Sequence, residues 1–139
     1  MFLNPFMEYL RKKFICKNQI KKGLNGVKDC LEYMKKGYSI ALMVDQRVSE
    51  GPRVKFFNGN AHTTTLPAQL SSRFNCDIVP IYISRSQDDR FKMELLDPID
   101  ISESEKKDKE LVTKKINTII EEFILRDPSQ WILTHNRWK

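Results

Sequence analysis

Asp45 stands directly behind the apolar run Ser39-Ile40-Ala41-Leu42-Met43-Val44, at the end of what reads as a strand. In open α/β sheets strand ends point into the ligand crevice, where a carboxylate orients a base or accepts a hydroxyl. A strand-end aspartate also caps turns, and spacing alone leaves the two uses level. Gln46, Arg47, Arg53 and Lys55 follow, with Gly51 and Gly59 among them. That set suits a phosphate, since a guanidinium grips two oxygens at once. Simple solvation is nevertheless the commoner fate of a charged loop. Phe56, Phe57, Trp131 and Trp138 offer surface for an acyl chain or an interfacial belt, although core filling is the usual role of aromatic residues in a domain of this size.

Other chemistries find little support. The two histidines, His62 and His135, have Leu66 and Lys139 four residues on, so neither is followed by a carboxylate at that spacing. No serine lies in a Gly-x-Ser-x-Gly elbow, and no stretch matches a P-loop or a dinucleotide fingerprint. Cys16, Cys30 and Cys76 are odd in number, widely spaced and without histidine at ligand spacing. They suggest neither a disulfide framework nor a zinc site, and a reducing compartment suits them. No metal, nucleotide or other cofactor is expected.

The elements that must hold these residues follow from periodicity. Asn4-Pro5 opens a basic amphipathic helix over 4–15 carrying Phe6, Tyr9, Leu10 and Phe14. A second helix is predicted over 27–36, stopped by Gly37. The apolar run 39–44 predicts a strand buried on both faces of a parallel sheet. Residues 46–61 form a long functional loop or a hairpin around Val54-Lys55-Phe56-Phe57. A threonine among Thr63, Thr64 and Thr65 caps a helix with Leu66, Leu70 and Phe74, and Pro67 sits in its first turn. Strands are predicted over 77–84 and 91–96 around the polar turn 86–90, with Pro80 arguing against a fully paired central position. Ser102-x-x-Glu105 opens a long helix to Arg126 whose stripe is Leu111, Val112, Ile116, Ile119, Ile120, Phe123 and Ile124. The order implies an α/β fold, a layered mixed sheet flanked by helices, with a sheet too small to be complete.

Composition bounds the answer further. The chain has 139 residues, 40% hydrophobic and 30% charged, which describes one globular domain. A net charge of +6 favours anionic partners without choosing among them. No apolar run is long enough to span a bilayer, and the opening residues lack the pattern of a signal peptide.

Four stretches together are more specific than any of these features. They are Val44-Asp45-Gln46-Arg47-Val48-Ser49-Glu50-Gly51, then Val54-Lys55-Phe56-Phe57-Asn58-Gly59-Asn60-Ala61 with Thr64-Thr65, then Ile78-Val79-Pro80-Ile81-Tyr82, then the ending Gln130-Trp131-Ile132-Leu133-Thr134-His135-Asn136-Arg137-Trp138-Lys139. In this order the chain closely resembles the late acyltransferases of lipid A biosynthesis, the lauroyl and myristoyl transferases of the lysophospholipid-acyltransferase-like superfamily. The departures are mild: Lys55 stands where that family tends to have proline, and Leu133 where it tends to have an aromatic residue.

The resemblance implies a glycerol-phosphate-acyltransferase-like fold and makes 1–139 the C-terminal portion of a single acyltransferase domain. It implies transfer of an acyl chain from the thioester of acyl carrier protein to a phosphorylated glycolipid acceptor in lipopolysaccharide biosynthesis. The setting would be the cytoplasmic face of the inner membrane, with the chain peripheral or anchored through an upstream part, and no nucleic acid would be involved. The family's base, a histidine with Asp or Glu four residues on, belongs upstream of the region matched by Asn4-Pro5, so this chain alone is expected to be inactive. Under the resemblance Asp45 and Gln46 line the crevice beside that histidine, and Arg47, Arg53 and Lys55 meet phosphates. Gly51, Phe57 and Gly59 complete the substrate-side set. The competing expectation is a basic module for anionic lipid or nucleic acid, built on Arg11-Lys12-Lys13 and Lys21-Lys22.

Overall fold

Alternation in the loop of glycines and charges is enough to make a hairpin. Strands β1 (Arg53–Phe56) and β2 (Gly59–His62) pair antiparallel, with Val54 opposite Ala61 and Phe56 opposite Gly59. Side chains of a strand alternate between faces, so Val54, Phe56 and Ala61 turn inward while Arg53, Lys55 and Asn60 turn to solvent. The computed structural model describes residues 3–20, 23–48, 51–132 and 136–139, and it divides into the units Met1–Ala41 and Leu42–Lys139.

The first unit is helical. α1 spans Leu3–Phe14 and buries none of its residues. α2 spans Leu24–Lys35, a little earlier than its periodicity suggests, and Gly37 beyond it takes the left-handed φ of 80° that suits a stop. Cys30 is buried on α2, and Tyr33 meets Tyr38 edge-on with ring centroids 5.4 Å apart.

The second unit holds the hairpin, α3 (Leu66–Phe74), β3 (Ile81–Arg85), β4 (Phe91–Leu95) and α4 (Lys109–Arg126). Thr64 Oγ1 accepts the Leu66 N–H at the start of α3, and Asn75 closes it in the left-handed region. β3 and β4 pair antiparallel, Ile81 opposite Leu95 and Ile83 opposite Met93. Pro80 has no N–H to give a ladder, and β3 begins just after it. Its carbonyl still accepts from Leu96 at 3.0 Å, and Ile78 accepts from Ile99 at 2.9 Å. One face of this hairpin, with Ile81, Ile83, Phe91, Met93 and Leu95, lies open to solvent. On the other, the Tyr82 ring packs at a tilt against Phe123 of α4, centroids 5.1 Å apart.

The expected capping box forms. The Ser102 N–H donates to Glu105 Oε2 at 2.8 Å and the Glu105 N–H to Ser102 Oγ at 3.4 Å. It caps only the 3-10 turn Glu105–Lys107, because Asp108 then takes extended backbone angles and accepts from the N–H groups of Glu110 and Leu111, starting α4 afresh. The expected long helix is thus two pieces. The core is Phe56, Ala61, Ala68, Val112, Ile116, Ile120 and Ile124, with Val44, Phe57, Trp131 and Trp138 packed on it.

The α/β class holds, with each described sheet an antiparallel pair. The stretch 39–44 is a correction: no strand forms there among the described residues, and Met43 is 80% exposed. An apolar run becomes a doubly covered strand only where neighbouring strands satisfy its N–H and C=O groups. None of the described strands lies against it.

Candidate functional site

The β1–β2 hairpin is locked by residues from the far end of the chain, and two glycines make the fit. A Cβ on Gly51 would stand 2.3 Å from the Thr63 carbonyl oxygen, and one on Gly59 would stand 2.8 Å from Trp138 Cδ1. The indole N–H of Trp138 donates to the Phe56 carbonyl at 3.3 Å, and Arg53 Nη2 donates to the Trp138 carbonyl at 3.0 Å. His62 Nδ1 lies 2.9 Å from the Gly51 carbonyl. A carbonyl only accepts, so Nδ1 carries the hydrogen, which makes His62 a structural hydrogen-bonder. Phe57 takes a positive φ of 49°, unusual for a side chain of its bulk, and its N–H donates to Glu121 Oε1 at 2.7 Å. That charge-assisted bond from α4 offsets the strain at the hairpin tip.

Behind the hairpin lies a guanidinium. Arg137 is 1% exposed, its carbon Cζ is 4.0 Å from the centroid of Phe56, and its Nη2 donates to Thr63 Oγ1 at 3.4 Å. Nε and Nη1 have no hydrogen-bond partner among the described residues. Burial pulls this guanidinium below its ordinary pKa, and the negative charge of Asp45 opposes that shift. Taking a cation out of water costs several kcal/mol. The Phe56 ring face and Asp45 are what the described residues set against that cost. Asn117 has the same character: it is fully buried on α4, donates to the Lys55 carbonyl at 2.9 Å, and its own Oδ1 has no partner among the described residues. Buried polar groups without partners are uncommon in folded proteins, and this cluster lies directly under the predicted loop.

The predicted substrate-side residues divide into three groups. Asp45 and Gln46 form a bend, with Asp45 half-buried and coupled electrostatically to Arg137, while Gln46 and Arg47 are exposed. Arg53 and Lys55 share the solvent face of β1, two residues apart, where both charges can meet one anion. Gly51, Phe57 and Gly59 serve the hairpin's packing in the ways just described. His135 lies outside the described residues. Sequence reasoning gave no site role to Arg137, Asn117, Thr63 or Glu121, taking Thr63 only as a helix-cap candidate and Arg137 only as part of the closing stretch. Asn117 offered a signal, as a polar residue next to Ile116 on the helix stripe; Arg137 offered only its place between Asn136 and Trp138.

Other nucleophiles and clefts are poorly placed for chemistry. The thiols of Cys30 and Cys76 are pushed up, chiefly by burial, which leaves little thiolate. An open cleft of about 450 Å³ is lined by Pro80, Leu95, Asp97, Asp100, Ile119 and Glu122 among others. Its charges are acidic, so it does not suit a phosphate.

The family model for bacterial lipid A biosynthesis acyltransferases matches residues 5–139. No individual curated protein matches the chain. The match takes in the Asp45 bend, the hairpin and the closing Arg137-Trp138 pair in one alignment. The chain therefore belongs to the bacterial lipid A biosynthesis acyltransferase family.

Proposed function

We propose that this chain forms the substrate-side part of an enzyme that moves a fatty acyl chain from the thioester of acyl carrier protein to a hydroxyl of a phosphorylated glycolipid. The observation that carries the reading is the family match over residues 5–139. On this reading Arg53 and Lys55 meet a phosphate of the acceptor, and Asp45 lines the crevice beside the reacting hydroxyl. The buried Arg137 gives that carboxylate a fixed positive neighbour in a dry setting, where charge interactions are strong. The work takes place at the cytoplasmic face of the inner membrane.

The general base is a histidine supplied from beyond these 139 residues, held by a carboxylate four positions on. Two features support further chain completing the domain: residues 39–44 have no ladder partner among the described residues, and the outer face of β3–β4 is apolar and open. With the base in place, the hydroxyl proton passes to the imidazole, the oxygen attacks the thioester carbonyl, and the carrier thiol leaves.

Fusing this chain to the upstream half of a family member that carries the histidine motif tests the proposal. Acyl transfer from acylated carrier protein to the glycolipid acceptor is expected from the fusion and not from the 139 residues alone. Asp45→Ala in the fusion is expected to lower kcat by about a hundredfold, a common size for removal of one charge-stabilising group. A fusion that folds and transfers nothing, or an Asp45→Ala fusion with full activity, would sink the proposal or the role of that residue respectively.

A further inference from the structure

Helix α1 is left unused by this mechanism, although it carries a more organised surface than any other described element. None of its residues is buried; Leu3 is 71% exposed, Phe6 56% and Phe14 71%, with Met7 also exposed and Leu10 half-buried. At 3.6 residues per turn these five side chains fall within an arc of about 100° on one face. Arg11 and Lys13 stand at the two edges of that arc. Lys13 Nζ lies 5.6 Å from the Tyr9 ring centroid and 5.3 Å from that of Phe14, so its stem follows the apolar border. Lys12 is on the opposite face, where it pairs with Glu8 at 2.7 Å. Glu8 is the only acidic residue in the helix.

We propose that α1 is an interfacial helix that seats the chain on an anionic bilayer, its apolar arc at the headgroup boundary and its flanking cations on lipid phosphates. Charge complementarity selects this occupant. A ring of phosphates around an acyl interior presents the charge-bordered apolar surface that α1 mirrors. Nucleic acid would leave the exposed phenylalanines in water. The 12 residues of α1 reach about 18 Å against a hydrocarbon core of about 30 Å, so these residues by themselves suit a seat at the interface. No helix among the described residues is long and apolar enough to cross a membrane. The inference takes only its membrane setting from the proposed function, and its test needs no catalysis.

The experiment is co-sedimentation of the 139-residue chain with phosphatidylcholine vesicles with and without phosphatidylglycerol. Binding is expected to the phosphatidylglycerol vesicles and to fall as salt is raised. Arg11→Glu and Lys13→Glu should each weaken it by about fivefold or more. Phe6→Glu should weaken it by about tenfold or more, while the conservative Phe6→Leu retains it. Lys28→Glu on α2 is the charge-matched control and should cost little. Circular dichroism checks that each variant keeps its helix content, and Phe6→Leu keeps the test decisive if Phe6→Glu misfolds. Equal binding to both vesicle types, or loss of binding in Lys28→Glu as large as in Lys13→Glu, would overturn the proposal. Lipid-independent self-association that Phe6→Glu abolishes would reassign the face to a second copy of the chain. Transfer by the fusion in detergent micelles is read separately, so intact transfer with no vesicle binding sinks only this inference.

Discussion

Gly59 shows how little room the candidate site leaves at the level of single atoms. A Cβ there would press on the Trp138 indole, which bonds the Phe56 carbonyl and packs 5.7 Å from the Phe56 ring. Gly59→Ala is therefore expected to destabilise the chain by about 1–3 kcal/mol in urea unfolding, the usual cost of overpacking. In a Trp138→Phe background, where the smaller ring makes space, the added cost should shrink. Strict additivity of the two penalties would show that Trp138 is not what Gly59 accommodates. The loop that holds Gly51 and Gly59 suggests a phosphate cradle, because it also carries Arg47, Arg53 and Lys55. Their close neighbours in the fold are the Thr63 carbonyl and an indole near the end of the chain. Local spacing has no access to such partners. Arg137 eluded the sequence for the same reason: nothing in Asn136-Arg137-Trp138 marks which of these side chains goes inside.

Among the elements, the best-read signals were those that a few neighbouring residues settle. The capping box at Ser102 is one, and its energetics are testable. Hydrogen bonds from Lys115 first, then from the backbone and hydroxyl of Ser102, hold the Glu105 carboxyl at about 2, against an ordinary 4.5. A carboxyl depressed on folding adds stability above its unfolded pKa and loses it as pH falls through the folded one. The chain should thus lose stability between about pH 4.5 and pH 2, and Lys115→Met should flatten that part of the pH dependence in urea titrations. An unchanged slope in Lys115→Met would remove this pair from the account. The run 39–44 illustrates the opposite case. Its composition is that of a covered strand, but a strand is a relation between neighbours, and Met43 in the described structure is largely in water. Helix α4 was legible as a stripe, and its buried Asn117 was not, because that side chain is held by the hairpin strand carrying Lys55.

For the molecule as a whole, the unit Leu42–Lys139 is closed by contacts between distant parts of the sequence. Arg53 meets Trp138, Thr63 meets Arg137 and Lys55 meets Asn117. Stopping the chain after Asn136 removes Arg137 and Trp138 together. The expected loss is about 3–5 kcal/mol, the scale of deleting one large aromatic from a core, out of a total stability of about 5–15 kcal/mol. Near-ultraviolet circular dichroism and the urea midpoint read this directly, and a midpoint equal to that of the intact chain would show that the hairpin holds without them. The α/β class was visible at this scale because it follows from the order of elements. The way the chain's end folds back over its middle was not.

That fold-back also sets a schedule for synthesis. The ribosome delivers Phe56 and the whole β1–β2 hairpin long before Trp138, whose indole bonds the Phe56 carbonyl across 82 positions of sequence. Until Arg137 and Trp138 emerge, the apolar side of the hairpin has α3 and the growing α4 to rest on but lacks its final cover. Contacts of such separation fold slowly, because the loop they close must first be ordered. The nascent chain accordingly carries a half-covered Phe56 until synthesis reaches Trp138, a period in which that apolar surface is open to aggregation or to chaperones.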